Sequence, residues 1–202
     1  MNEAYHHGDL ANALLDAVGE IVGESGASGV TLREAARRAG VSHSAPAHHF
    51  RDKDGLMEAF GIQGWEMLAE ALRNTAIETE DESHRRQLTA MGRAYLEFAM
   101  QHPAHYEVMM RMMDDCEDPA APIHQAAESA FAPLALFVGR TVQDGIIAEH
   151  RARYFATILW GTVHGIAHLW ESDRLQHFYE DHTAEQFVDG VLETMTSLIF
   201  GD

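Results

Sequence analysis

Apolar side chains recur at helical spacing along almost the whole chain, and this periodicity restricts the fold more than any other feature of the sequence. Leu10, Leu14, Val18 and Ile21 follow one another at intervals of three or four residues and end before Gly26. No stretch rich in Val, Ile and Thr alternates with polar residues at the period of two that a half-buried strand requires. The sequence therefore predicts an all-α protein.

Polar, proline-bearing and acidic segments divide this pattern into separate helices. The predicted long helices cover residues 53–78, 84–101, 103–113, 123–147, 150–171 and 183–200. Pro133 should kink or break the fourth of these, because an internal proline removes one hydrogen bond and clashes with the preceding turn. The composition changes most sharply near residues 50–60, so we expect two domains, 1–55 and 56–202.

Two short helices joined by a glycine turn are predicted near the N-terminus. Thr31 and Glu34 have the spacing of a capping box, in which the Thr31 side chain accepts from the Glu34 N–H and the Glu34 carboxylate reaches back. Ala36 is small where two helices would touch, and Gly40 permits a left-handed turn four residues later. Ser42 is the predicted N-cap of the second helix, which completes a helix-turn-helix.

The charge of the chain suits a nucleic-acid partner only locally. The net charge is −18 at pH 7. Five of the 14 Lys and Arg residues, however, fall between Arg33 and Lys53, where Glu34 and Asp52 are the only acidic residues. A local basic patch, and not the net charge, is the electrostatic mark of a DNA-binding protein.

Three motifs in this region resemble the N-terminal domain of the TetR family of transcriptional regulators. They are YHHGDL at residues 5–10, TLREAARRAGVS at 31–42 and HHFRDKDGL at 48–56. Farther along, Trp160, His164 and Gly165 resemble the Trp-His-Gly motif of one branch of that family. The resemblance implies an N-terminal three-helix DNA-binding domain and a C-terminal helical bundle for ligand binding and dimerisation. It also implies a cytoplasmic homodimeric repressor that a small-molecule effector releases from palindromic operator DNA.

Eight side chains are the DNA contacts that the resemblance implies. His43 and Ser44 are expected to reach base edges in the major groove from the first turn of the recognition helix. The expected phosphate contacts are Thr31, Arg33, Ser42, His48, His49 and Lys53. Ala47 departs from the family pattern, which usually has a phosphate-contacting tyrosine there. An alternative therefore stays open, a TetR-fold protein that binds a small molecule or a partner without useful DNA affinity.

The later part of the chain is rich in methionine, aromatic residues and histidine. Methionine suits adaptable pockets because it is unbranched and polarizable. Seven residues are the expected lining of the effector pocket: Tyr106, Met109, Met113, Phe131, Trp160, His164 and His168. Plain core packing is the alternative for each of them.

Two glycines four residues apart indicate a close helix contact. Gly161 and Gly165 each lower helix propensity by about 1 kcal/mol relative to alanine, which close packing would explain. The contact is either with a second subunit or within one subunit. The dimer interface that we expect contains Gly161, Gly165, Phe187, Val191, Leu192, Met195 and Leu198.

Other classes of function find little support in the sequence. No nucleophile and base stand in a recognisable local motif, so we expect neither an enzyme nor a bound cofactor. His164 and His168 could form a metal pair, with His102 and His105 as further ligands, but Glu171 is the only acidic residue at ligand spacing. A metal-binding bundle is therefore a third reading, and we predict no metal.

The sequence also indicates the compartment. Cys116 is the only cysteine, so no intrachain disulfide can form. No apolar run approaches the ~18 residues of a transmembrane helix, and the first ten residues do not resemble a signal peptide. We expect a cytoplasmic protein that makes no use of a membrane.

Overall fold

A computed structural model describes residues 3–201, and the side chains of residues 3–9 and 176 lie outside the description. The side chains of the YHHGDL motif, apart from Leu10, lie outside this description. Within the described residues the chain forms α1 (Glu3–Ser25), α2 (Leu32–Arg38), α3 (Ala45–Phe50), α4 (Lys53–Glu78), α5 (His84–Gln101), α6 (Pro103–Asp114), α7 (Pro122–Gln143), α8 (Ala152–Glu171) and α9 (Ala184–Phe200). Residues 3–201 contain no strand, so the all-α prediction is confirmed.

The predicted break at Pro133 does not occur. Helix α7 continues from Pro122 to Gln143 with Pro133 inside it. Apolar side chains are buried on both sides of the proline, among them Ala130 and Phe137. Packing on both sides outweighs the one hydrogen bond that a proline removes.

The described chain divides into two compact units. The first unit contains the chain through Glu66 together with His102–Ala127, and the second contains Met67–Gln101 and the chain from Glu128 onward. These units do not follow the predicted boundary after residue 55, which falls inside α4. As a division between DNA-binding and effector-binding domains, that boundary remains a prediction.

The first unit is built around α1. Leu14, Val18, Leu56 and Phe60 are almost fully buried in its core, and α6 adds Val108. A polar contact accompanies this packing, because the Ala27 N–H donates to Glu107 Oε1 at 3.3 Å. Helix α6 is therefore part of the core that supports α2 and α3.

The second unit is built around α5, which packs against α8 and α9. Gly92 of α5 lies so close to α9 that a Cβ there would come within 2.6 Å of Leu192 Cδ2. Arg85 donates to Ser197 Oγ at 3.2 Å, and Arg93 pairs with Asp189. None of the helices in the described chain is long and apolar enough to cross a membrane.

Candidate DNA-binding surface and effector site

The helix-turn-helix has the local geometry that its sequence predicts. Thr31 Oγ1 accepts from the Glu34 N–H at 3.1 Å and caps α2. Gly40 has a φ of 68°, the left-handed conformation that glycine adopts most readily. Ala36 is fully buried, and its carbonyl accepts from the Val41 N–H at 3.0 Å. This hydrogen bond fixes the turn after α2 against the end of that helix.

The second half of the predicted capping box is wrong. The Glu34 carboxylate does not reach back to Thr31, because Arg37 Nε and Arg38 Nε donate to it at 2.8 and 3.0 Å. The hydrogen bonds from Arg37, and then those from Arg38, lower the pKa of Glu34 to about 2. Glu34 thus forms ion pairs with both Arg37 and Arg38 of the same helix.

Arg38 also joins α2 to α1. Its side chain is only 17% exposed, and Nη1 donates to Glu24 Oε1 at 2.9 Å while lying 3.7 Å from Glu20 Oε2. The hydrogen bond from Arg38 lowers the pKa of Glu24.

Of the five cations between residues 33 and 53, Arg37 and Arg38 are therefore neutralised by close carboxylates, and the exposed Arg51 has Asp52 Oδ2 3.8 Å from its Nε. Arg33 and Lys53 are exposed or half-buried cations that could meet an anion, and the loose, exposed pair of Arg51 with Asp52 leaves the Arg51 guanidinium accessible to one.

The recognition helix begins later than predicted. Helix α3 starts at Ala45, so His43 and Ser44 lie in the turn before the helix and not in its first turn. Ser42 does not cap the helix, since its Oγ lies 3.3 Å from Ser44 Oγ and its carbonyl accepts from the Ala45 N–H. Pro46, which has no N–H, cannot supply the usual bond to the Ser42 carbonyl.

The eight predicted DNA contacts all belong to the first unit. His49 and Lys53 are half-buried, and Lys53 Nζ lies 3.5 Å from the Ala27 carbonyl oxygen. Ala47 is exposed, at the position where the family pattern has tyrosine. The remaining six are exposed: Thr31, Arg33, Ser42, His43, Ser44 and His48.

Arg51 is a candidate DNA contact that the sequence prediction missed. Its side chain is 89% exposed, and its φ of 64° places it in the left-handed region between α3 and α4. Asp52 follows as the N-cap of α4, because its Oδ1 accepts from the Gly55 N–H at 2.9 Å. Its position in the sequence, between the recognition helix and the predicted phosphate contact Lys53, could have indicated this role.

Three of the seven predicted pocket residues meet in the second unit. The rings of Phe131 and Trp160 are perpendicular with centroids 5.1 Å apart, and His164 lies 5.3 Å from Trp160. His164 Nδ1 is 3.2 Å from the Tyr95 hydroxyl, a partner on α5 that sequence spacing could not indicate. His168 is exposed on α8 and does not join this cluster.

The other three predicted pocket residues belong to the first unit. Tyr106 and Met109 are fully buried there, and Met113 is half-buried. Met109 packs so closely on α4 that a Cβ at Gly64 would lie 3.0 Å from its Sδ. Tyr106 and Met109 thus contribute to the core of this unit, and their effector role remains a prediction.

The histidines considered as metal ligands do not form a cluster in the described residues. His102 and His105 belong to the first unit, and His164 and His168 to the second. No group of three or more His, Cys, Asp or Glu side chains in the described part of the chain is arranged to hold a metal ion.

Helices α8 and α9 present an apolar face in the second unit. Tyr154 and Ile158 of α8 are 73% and 60% exposed, and Leu198 of α9 is 83% exposed. A groove of about 590 Å³ lies between the helices, and its lining includes Val191 and Met195. Apolar surface of this kind is typical of an interface.

The glycines on this face have no close neighbour in the described chain. A Cβ at Gly161 or Gly165 would meet no atom within 4 Å. Tight packing within one subunit, the alternative that the sequence left open, therefore does not explain these two residues.

Two of the residues predicted for the dimer interface are buried inside the second unit. Leu192 is fully buried against Gly92, and Phe187 is 3% exposed. Phe187 is covered by Trp170 and Tyr179, whose ring centroids lie 4.9 and 4.8 Å from its own. Both residues thus contribute to the core of the second unit, and their place in the dimer interface remains a prediction.

Comparison with known proteins identifies this arrangement. The model of the C-terminal domain described as tetracyclin repressor-like matches residues 88–195, and the model of bacterial regulatory proteins of the tetR family matches residues 14–60. HTH-type transcriptional regulator BetI of Escherichia coli O139:H28 is 50% identical over 46 residues. That match spans 23% of this chain and about a quarter, 24%, of the relative.

Solved structures share the fold over nearly the whole chain. A protein of unknown function from Rhodococcus sp. RHA1 has a TM-score of 0.80 and 29% identity, covering 98% of this chain and 96% of its own. AibR, in complex with isovaleryl coenzyme A and operator DNA, has a TM-score of 0.65 and 16% identity, covering 95% of this chain and 98% of its own.

An N-terminal helix-turn-helix followed by a helical domain defines a class of DNA-binding transcriptional regulators. Since the family models together span most of the sequence, this chain belongs to the TetR family.

Proposed function

We propose that this protein is a homodimeric repressor that binds a palindromic operator and leaves it when a small molecule binds in its later domain. The observation that carries the proposal is the polar surface around α3, where Ser42, His43, Ser44 and His48 are exposed. Pro46 of the same helix is buried, so the helix packs on one side and offers the other to a groove.

Two kinds of DNA contact can be separated by mutation. Lys53→Ala should weaken binding to operator and unrelated DNA alike and lower the salt slope by about one ion per subunit, because a phosphate contact is independent of sequence. His43→Ala should change the base preference instead. Fluorescence anisotropy against DNA from upstream of the protein's own gene, over a series of salt concentrations, measures both effects.

Arg73→Ala is the matched control, since it removes an exposed cation of α4 outside the first unit. It should leave both the slope and the preference unchanged. Identical behaviour of the Lys53 and His43 variants would contradict the division into positioning and reading residues.

Ala47 supports a second candidate, a TetR-family protein that binds a small molecule or partner but has no useful DNA affinity. Alanine offers no hydroxyl to a phosphate, and the position is exposed. Ala47→Tyr should strengthen DNA binding if the repressor proposal is right. A chain that binds no DNA at low salt, with or without this substitution, would favour the second candidate.

The Trp-His-Gly arrangement supports an effector site in the second unit, and we assign the chain to that branch on this basis. The ring cluster of Phe131, Trp160 and His164 is the observation for this assignment. Mass spectrometry of small molecules that co-purify with the protein would identify the effector. Isovaleryl coenzyme A, which the AibR complex contains, is a suitable first compound for an operator-release assay.

A further inference from the structure

The backbone of Ala27 joins three elements of the first unit. Ala27 is buried and begins the short 3₁₀ turn between α1 and α2. Its N–H donates to Glu107 Oε1 of α6 at 3.3 Å, across 80 residues of sequence. Its carbonyl oxygen lies 3.5 Å from Nζ of Lys53, the first residue of α4. A carboxylate of α6 and a cation of α4 therefore contact the same buried residue.

The position of the Ala27 carbonyl depends on Glu107. Within the turn, the Val30 N–H reaches this carbonyl only at 3.4 Å, and 3₁₀ turns have poorer hydrogen-bond geometry than α-helices. A hydrogen bond to an ionised carboxylate is stronger than one between neutral groups. Without an acceptor at position 107, the buried N–H of Ala27 would lose this bond, and the turn would be held less firmly.

The contact with Ala27 matters to Lys53 for two reasons. Lys53 lies at the start of α4, where the positive end of the helix dipole repels a cation. Its side chain is also long and flexible, so holding the ammonium group in one place costs entropy. A carbonyl oxygen beside Nζ offsets both effects and occupies one of the three ammonium hydrogens, which leaves two for a phosphate.

A phosphate can reach this ammonium group. Lys53 is half-buried and not fully enclosed. It lines a surface groove of the first unit together with Ser28 and Arg51. The exposed guanidinium of Arg51 therefore lies on the same side of the unit.

We propose that Glu107 is a positioning residue for DNA binding, which holds Lys53 in place for a phosphate through the backbone of Ala27. The inference rests on the proposed function, in which Lys53 contacts the operator backbone. Because the ammonium group is already placed, Lys53 loses less side-chain freedom when the complex forms. Glu107 acts without touching the DNA itself.

Two uncharged substitutions at position 107 separate the hydrogen bond from the charge. Glu107→Gln keeps a side-chain oxygen that can accept from the Ala27 N–H, whereas Glu107→Met has a similar length and offers only a weak acceptor. Both remove the same negative charge, so the long-range attraction to DNA changes equally. Glu66→Gln and Glu66→Met are the matched controls, at an exposed position of α4 in the same unit.

The mobility of Lys53 can be measured without DNA, because it is the only lysine in the sequence. Protein that contains isotope-labelled lysine gives a single signal for the terminal methylene group, and its NMR relaxation reports how freely that group moves. The lysine should be more mobile in Glu107→Met than in Glu107→Gln, and equally mobile in the two Glu66 variants. Equal mobility in the two Glu107 variants would overturn the inference.

Affinity for DNA from upstream of the protein's own gene tests the functional consequence. Glu107→Met should bind about five-fold more weakly than Glu107→Gln, the effect expected when one long side chain is no longer held in place. In a Lys53→Ala background the two variants should bind equally, because the group that Glu107 positions is absent. A difference that persists without Lys53 would show a purely structural role and overturn the inference. Equal affinity of the two variants in the presence of Lys53 would do the same.

A second substitution keeps the test decisive if Glu107→Met does not fold. Glu107→Asp retains the charge, but its carboxylate ends one methylene group short of the Ala27 N–H. It is compared with the unaltered chain by the same two measurements. The lysine should be more mobile and the DNA affinity lower in the variant, and no difference in either would overturn the inference.

The inference and the proposed function fail separately. A chain whose operator affinity depends on Lys53 but not on the acceptor at position 107 removes this inference alone. Operator binding that does not depend on Lys53 also removes it. A chain in which Glu107 restrains Lys53 but which binds no DNA at low salt removes the proposed function, while the link from Glu107 to Lys53 stands.

Discussion

Gly55 lies where the end of α3 comes closest to the first turn of α4. A Cβ at this position would be 2.2 Å from the Phe50 carbonyl oxygen, far inside the contact distance of a non-bonded carbon and oxygen. The obstructing atom belongs to the backbone, so it cannot rotate away as a side chain could. Only glycine at position 55 therefore allows the end of the recognition helix to lie this close to the first turn of α4.

Gly55→Ala should consequently lower the free energy of unfolding by about 2 kcal/mol or more, in the range of steric damage to a packed core. Urea unfolding measures this loss. Gly139→Ala is the control, because a Cβ at Gly139 in α7 meets no atom within 4 Å. It should be neutral or stabilise the protein by up to about 1 kcal/mol. Equal stability of the two variants would contradict the steric argument.

A half-buried histidine of α6 packs against α4. The rings of His105 and Phe60 are stacked with centroids 4.1 Å apart, and His105 Nε2 lies 3.2 Å from Gln63 Oε1. Burial, and then the charge of His102, lower the pKa of His105 from 6.5, while Asp16 acts in the opposite direction. The native packing therefore favours the neutral ring.

This contact predicts how stability depends on pH. Because the folded-state pKa of His105 is lowered, the unfolded chain binds the proton more readily, and stability falls as the pH drops below the ordinary value of 6.5. Urea unfolding between about pH 8 and pH 5 should show this loss. His105→Phe keeps an aromatic ring beside Phe60 and should flatten the profile, whereas the exposed His150→Phe should not. A profile that is unchanged in the His105 variant would contradict the assignment.

The helices themselves were largely predictable from the sequence, because their signals are local. The bounds of α4 and α5 agree with the prediction. Their signals lie within a few residues of the helix ends: Asp52 caps the start of α4, and the polar segment after Glu78 separates α4 from α5. One complete capping box in the described residues lies outside the sequence prediction, which placed a capping box only at Thr31. It joins Thr183 and Gln186 at the start of α9.

The partners of side chains were less predictable than the helices. The bond between Arg38 and Glu24 spans 14 residues, and the one between Tyr95 and His164 spans 69. No sequence period relates such positions, so the local charge count overstated the cations free to meet DNA. The burial of Phe187 under Tyr179 was missed for the same reason, because the covering ring comes from the connector before α9.

At the scale of the whole molecule, the proposed dimer predicts different effects for two exposed leucines. Leu198 of α9 and Leu136 of α7 are 83% and 69% exposed, so a charge at either position costs the isolated subunit little. Leu198→Glu should give monomers in sedimentation experiments and lose most of the operator affinity, because a lone half-site retains few contacts. Leu136→Glu should remain dimeric and bind DNA normally. A dimeric Leu198→Glu protein would remove α9 from the interface.

Gly161 allows an independent test of the same interface. A Cβ at Gly161 meets nothing within 4 Å in the described chain, so Gly161→Ala should not weaken the subunit itself. If α8 packs closely on its symmetry mate, the added methyl group should raise the dimer dissociation constant. Sedimentation of a dilution series measures this constant. An unchanged constant would show that α8 does not make a close contact at this position.

The participation of α6 in the first unit has a consequence for how the protein is made. When the ribosome has released the chain through Glu66, Glu107 and Val108 have yet to be synthesised. Translation at roughly 5–20 residues per second needs several more seconds to deliver them. The helix-turn-helix of the nascent chain therefore cannot pack against α6 until α5 and α6 have both been translated. A gene fragment that stops at Glu66 lacks α6 and should yield a poorly folded product.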